Sequence, residues 1–309
     1  MSAATRAMTR LGIATGAVLA IGAVSPVQAM TPVDSHQACV RPASHDGART
    51  QGIDREPGGM HISAADQARI ERRMDNRVAR SGVAPLAAGA EVPVYFHVMM
   101  DKDGNGNVTR QQIVDQVDVL NRTFAGDEAG NAADTGFSFT LAGVNRFRND
   151  TWHRDGASRK YRSETRQGGV DALNIWLVDF KFLGIATFPW EYAKHPKVDG
   201  IRVNFDSLPG GSIANFNLGK TATHEAGHWF GLYHTFQGGC KPPGDEVDDT
   251  PFQASPTSGC PVGRDSCPAP GTDPIHNYMD YSYDSCYTRF TPGQSVRMNE
   301  AWTAYRSGA

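Results

Sequence analysis

Residues 224–234 read His-Glu-Ala-Gly-His-Trp-Phe-Gly-Leu-Tyr-His, an H-E-x-x-H-x-x-G-x-x-H pattern. On a helix, positions i and i+4 stand one turn apart on one face, so His224 and His228 can aim imidazole nitrogens at a single metal ion. Glu225 sits beside that face, in reach of a metal-bound water without being a ligand. Gly231 accepts a positive φ at no steric cost and lets the chain leave the helix, which brings His234 round as a third ligand. Three nitrogens with an open fourth position describe a catalytic zinc ion, not a closed structural one. The metal lowers the pKa of its water, and Glu225 takes the proton as the water attacks a polarised carbonyl. A purely structural role for the three histidines leaves Glu225 and the open position without a purpose.

Positioning such a site calls for regular elements on its N-terminal side, and the patterning supplies them. Val92 to Met99 reads as a strand, followed by a turn at Asp103-Gly104-Asn105-Gly106. Asp101 to Gly106 begins like a calcium-binding EF-hand loop, but position twelve is Gln112 where a Glu is required. A helix from about Thr109 to Phe124 carries Ile113, Val117, Leu120 and Phe124 on one face. Further strands are expected at Phe137–Val144, Leu173–Val178 and Ile201–Phe205, with a short edge strand at Gly184–Phe188 closed by Pro189. Strands and helices mixed in this way suggest an α/β or α+β domain. Beyond His234 the pattern gives way to Cys, Pro, Gly and Asp until a terminal helix at Pro292–Tyr305. Four cysteines, Cys240, Cys260, Cys267 and Cys286, lie in this region. They allow three disulfide pairings, among which sequence does not choose. Gly244 to Pro251 packs Asp245, Glu246, Asp248 and Asp249 into a short loop, the oxygen-rich chemistry that hard cations want.

The chain has 309 residues with 39% apolar and 20% charged, close to the globular average, which excludes a largely disordered protein. A net charge of −3 gives no electrostatic case for nucleic acid. No apolar run reaches the roughly 18–20 residues of a membrane span. Residues 1–29 read as a secretory signal: Arg6 and Arg10, an apolar run from Leu11 to Val24, then Val27-Gln28-Ala29 for cleavage. Export makes disulfides permissible. Residues 30–88 form a leading segment, expected to be a pro-segment. It holds a helix that opens at Ser63 and Asp66 and presents Ile70, Met74 and Val78, then a small-residue linker from Gly82 to Gly89. The catalytic domain is expected at 89–309, with subdomains of about 89–234 and 235–309. A monomer acting on protein or peptide substrates is the favoured reading. The alternatives are a zinc hydrolase of a non-protein amide and a non-catalytic zinc-containing binding protein; the presence of Glu225 weighs against the second.

The stretch from Leu218 through the zinc motif, Pro256-Thr257-Ser258-Gly259-Cys260-Pro261, and Ile275-His276-Asn277-Tyr278-Met279-Asp280-Tyr281-Ser282 resemble the pappalysin (cytophagalysin) family of metzincin zinc metallopeptidases. The resemblance implies an α+β fold: a twisted mixed sheet with helices in an N-terminal subdomain, an irregular disulfide-linked C-terminal subdomain, and the active-site cleft between them. It implies that Met279 forms the methionine-containing turn beneath the metal and that Gly184–Pro189 lines the cleft. Tyr281 would reach toward the metal and donate a hydrogen bond to the tetrahedral oxyanion. The family's pattern implies Cys240–Cys267 and Cys260–Cys286 disulfides, and structural calcium at Asp245 and Thr250 beside the catalytic zinc. Relatives that favour Arg just after the scissile bond, together with an acidic catalytic part, raise Asp284 as a specificity residue. Cys39, the odd cysteine in the leading segment, would be a latch whose thiolate fills the zinc's open position in the precursor.

Overall fold

The computed structural model describes residues 62–82 and 89–307; the signal segment and Cys39 lie outside these residues. Helix α1 (Ala64–Ser81) leads. Strands β1 (Glu91–Met100), β2 (Ser138–Arg148), β3 (Leu173–Val178), β4 (Gly184–Ala186) and β5 (Ile201–Asn204) form one sheet in the order β2-β1-β3-β5-β4. All neighbours run parallel except β4, which lies antiparallel to β5 at the edge. Between and after them come α2 (Arg110–Ala125), α3 (Asp150–His153), α4 (Ser158–Thr165), α5 (Lys220–Trp229) and α6 (Pro292–Tyr305).

A parallel sheet is covered on both faces, and β1 shows how the sequence provides for this. Val92, Val94, Phe96 and Val98 point to one side, in the same core cluster as Ile113, Val117, Leu120 and Phe124 of α2 and Ala222, Ala226 and Trp229 of α5. His97 stacks on Trp176 of β3 on the other side, with ring centroids 5.3 Å apart; Met99 packs there with Tyr161 and Trp176. Each fully buried Val or Phe contributes about 1.5–3 kcal/mol. Helix α2 starts at a capping box, in which Thr109 Oγ1 accepts from Gln112 N while the Gln112 side chain accepts from Thr109 N.

Most element positions agree with the sequence reading. β2 runs four residues further than expected, to Arg148, because it follows β1 along its whole length past a register shift at Val94/Tyr95. β4 stops at Ala186, where Thr187 turns to bond Asp199 and Gly200. α3 and α4 are too short for apolar periodicity to show them. From residue 235 to 291 the chain is largely irregular and is stapled by Cys240–Cys267 and Cys260–Cys286. Loops of this length give about 3.5 kcal/mol per disulfide in the chain-entropy picture.

The far end of α6 reaches back to the core. Arg306 donates through Nη1 and Nη2 to Asp199, at 3.0 and 3.1 Å, and through Nε to the Trp229 carbonyl. Its guanidinium lies 3.5 Å from the centroid of the Trp229 ring, whose Nε1 donates to Asp199 as well. Both charges are at most 1% exposed, so removing one strands the other. Asp199→Ala should therefore cost about 3–5 kcal/mol of unfolding free energy in urea melts; a loss below about 1 kcal/mol would show that Arg306 does not depend on this carboxylate.

Candidate active site

Helix α5 carries the first two histidines of the motif, and both of its ends are fixed by distant side chains. At its N-terminus Gly219 sits at φ +83°, and the Asp284 carboxylate accepts from Leu218 N at 2.8 Å and Lys220 N at 3.4 Å. Asp284, raised above as a specificity residue, caps this helix. Lys220 pairs with Glu128, which also accepts from the Tyr278 hydroxyl, tying the start of the helix to the methionine turn. At the C-terminus Gly231 N donates to His228 O and Leu232 N to Gly227 O, with Gly231 at φ +98°. This is a Schellman ending, and it turns the chain back so that His234 faces the helix.

The three imidazoles converge. His234 Nε2 lies 3.3 Å from His224 Nε2 and 3.1 Å from His228 Nε2. The opposite ring nitrogens are held by backbone carbonyls: His224 Nδ1 lies 2.6 Å from Tyr278 O, and His228 Nδ1 lies 2.8 Å from Leu232 O. A carbonyl accepts only, so each Nδ1 carries the proton and each Nε2 presents its lone pair inward. Burial pushes His228 down to about 4, which keeps it neutral and able to ligate at neutral pH. Phe236 stacks on the His234 ring at 4.5 Å, and Tyr281 packs against it edge-on with centroids 4.9 Å apart. The donor set is a convergent trio of imidazole nitrogens, which suits zinc.

Two glycines allow the site to close up. A side chain at Gly227 would overlap Met279 Sδ, so the absence of one lets the methionine turn pack directly beneath α5. A side chain at Gly184 would overlap the Glu225 carboxyl group, so β4 passes against Glu225 only because residue 184 has no Cβ. The turn itself is held by Asn277, whose side chain accepts from Met279 N and bonds Gln294 of α6. Thr235 N donates to Met279 O and joins the third histidine's segment to the same turn. In the acidic loop, the Thr250 hydroxyl lies 2.7 Å from Asp245 Oδ1 and 2.8 Å from Val247 O. Burial raises the Asp245 carboxyl to about 7.

A model of the peptidase M43 family, described as pregnancy-associated plasma protein-A, matches residues 178–303. An extracellular metalloprotease of Verticillium alfalfae is 45% identical over 263 residues, 82% of this chain and 88% of its own. One from Neurospora crassa is 45% identical over 240 residues, 75% of this chain and 81% of its own. This chain belongs to the M43 peptidases. Among solved structures, a promirolysin mutant from Tannerella forsythia is similar with a TM-score of 0.68 at 25% identity, covering 81% of this chain and 92% of that one. Mature mirolysin in complex with a cleaved peptide is similar at 0.60 and 29% identity, covering 69% of this chain and 91% of that one. The fold is that of a pappalysin-type metzincin.

Within this M43 peptidase, the sequence reading named the three histidines, Glu225, Met279 and Tyr281, and the structure brings them together. Gly184 was expected on the cleft-lining edge strand but without its contact to Glu225, and Gly227, Glu128 and Phe236 were not identified. Gly227 occupies a variable position of the motif, and its requirement comes from Met279, more than fifty residues away, so no local pattern announces it. Gly184→Ala should retain zinc at one equivalent yet lose at least about 100-fold in kcat/KM, because the methyl displaces Glu225. Zinc analysis and steady-state kinetics test this; activity within threefold of wild type would show that β4 can give way.

Proposed function

We propose that the protein is a secreted zinc endopeptidase made as a latent precursor, with residues 1–29 as its signal segment, 30–88 as the leading segment and 89–309 as the catalytic domain. The observation that carries the catalytic reading is the convergence of three inward-facing Nε2 atoms with Glu225 on the same helix. The extracellular metalloproteases that match most of the chain support the secreted, proteolytic part.

His224, His228 and His234 would hold the zinc, which when bound supplies a Lewis acid that polarises the scissile carbonyl and acidifies water. Glu225 accepts the proton that the attacking water gives up and passes it on toward the leaving amine. Tyr281, packed against His234, would donate to the developing oxyanion through its hydroxyl. An extended peptide would lie along the free edge of β4 and pair by backbone hydrogen bonds. Gly184 brings that strand against Glu225, an arrangement that fits a peptide better than a small non-protein amide. Latency is assigned to the leading segment with Cys39 as the zinc-seeking thiolate.

Glu225→Gln should fold and bind zinc as wild type does but lose at least about 100-fold in kcat on casein, since an amide takes no proton. Activity within tenfold of wild type would remove Glu225 from the base role.

The buried carboxylate of Asp245, the Thr250 hydroxyl and the Val247 carbonyl form an oxygen-rich group that suits calcium. Adding Ca²⁺ to chelator-treated protein at fixed zinc should raise the melting temperature by several degrees. Superimposable melting curves would reject a calcium site there.

A further inference from the structure

The leading segment does more than precede the catalytic domain: α1 docks behind the zinc motif. The sequence placed Ile70, Met74 and Val78 on its packing face. Met74 is buried with Ala301 and Ala304 of α6, but polar residues of α1 make the most specific contacts. Glu71 receives a two-pronged bond from Arg297, Nη1 at 2.7 Å and Nη2 at 2.8 Å, and a third from the Tyr233 hydroxyl at 2.8 Å. Gln67 donates to Gly244 O and Glu246 in the acidic loop, and Gln237 donates to Ile62 O and Gln67. Arg77 donates to Ala304 O and lies over the Tyr305 ring.

Arg297 links this interface to the chemistry. Its Nε donates to Gly231 O at 3.0 Å, and its guanidinium lies 4.6 Å from the Tyr233 ring centroid. Gly231 and Tyr233 belong to the turn that carries the chain from His228 to His234, and a Cβ at Gly231 would collide with Ala301 of α6. The Arg297 side chain is only 5% exposed, and a guanidinium does not shed its proton. A buried cation left without its hydrogen-bonded carboxylate is costly. If α1 departed with the leader, Arg297 would face water or swing toward it, and the turn would lose the donor at Gly231 O.

We propose that α1 stays bound to the catalytic domain in the mature enzyme, and that Glu71 and Arg297 act as a positioning pair for the His228–His234 turn. This rests on the reading of the chain as a zinc peptidase precursor, and it assigns latency to the part of the leader ahead of α1. Arg297 touches neither substrate nor metal. It fixes the Gly231 carbonyl, hence the angle at which His234 meets the other two ligands, and Glu71 keeps it there.

The test uses the full-length zinc-loaded protein with a site-specific protease sequence inserted between residues 83 and 88. After cutting, the fragment carrying α1 should co-elute with the catalytic body in native buffer and separate only in denaturant, as read by size exclusion and intact mass. Zinc transfer to a colorimetric chelator, well below each protein's melting temperature, should keep the uncut half-time in the cut wild type and shorten at least about tenfold in Glu71→Gln. A second variant, Glu71→Asp, keeps a carboxylate for Arg297 and should bring the half-time back toward that of wild type. Separation of the fragment in native buffer overturns the proposal, and so does a half-time in Glu71→Gln within twofold of wild type. If Glu71→Gln does not fold, the cut protein and Glu71→Asp still decide, since the first retains every native side chain and the second retains the carboxylate. None of these readouts needs peptide hydrolysis, so failure of the peptidase reading would show separately, in Glu225→Gln.

Discussion

Three imidazoles can share one metal ion only when their Nε2 atoms converge, and nothing within the rings brings that about. Here the atoms stand 3.1 and 3.3 Å apart, and the constraint is imposed from the backbone. Two carbonyls accept hydrogen bonds from Nδ1 of His224 and His228, and a glycine with positive φ returns the chain for His234. One of the carbonyls, Tyr278 O, belongs to the methionine turn; the other, Leu232 O, belongs to the helix ending itself. Ligand geometry therefore depends on where two separate segments sit against α5.

Much of the remaining structure keeps those segments in place. Asp284, with Lys220 and Glu128, holds the start of α5, and Arg306 binds the carbonyl near its end. Asn277 and Gln294 brace the methionine turn against α6. Gly227 lets Met279 approach the helix, and Gly184 lets the edge strand approach Glu225. The irregular region after His234 has few regular hydrogen bonds of its own, and its two disulfides supply constraint that a larger apolar core would otherwise give.

The chemistry was the most legible part of the sequence, because coordination and proton transfer demand particular residue types at fixed spacing. The helix at 110–125 and the buried strands were also readable, since burial on one face leaves a periodic trace: Ile113, Val117, Leu120 and Phe124 are all inside. Long-range polar partners leave no such trace. Glu71 and Arg297 are 226 residues apart, and neither position differs in pattern from an exposed charge on an amphipathic helix. Asp284 read as a pocket residue because its neighbourhood is acidic and near the methionine turn; its task of capping α5 follows only from the fold. The same applies to Asp199, one acid among many in the sequence and the meeting point of Arg306, Trp229 and Thr187 in the structure.

We propose that hydrolysis of peptide bonds by this protein depends on one zinc ion held by His224, His228 and His234. The most direct measurement is casein degradation by the processed protein, before and after removal of metal with a chelator, and again after one equivalent of zinc is returned with calcium held constant. Activity should disappear on chelation and return at a zinc stoichiometry of one. Undiminished casein cleavage by protein shown to be free of zinc would contradict it.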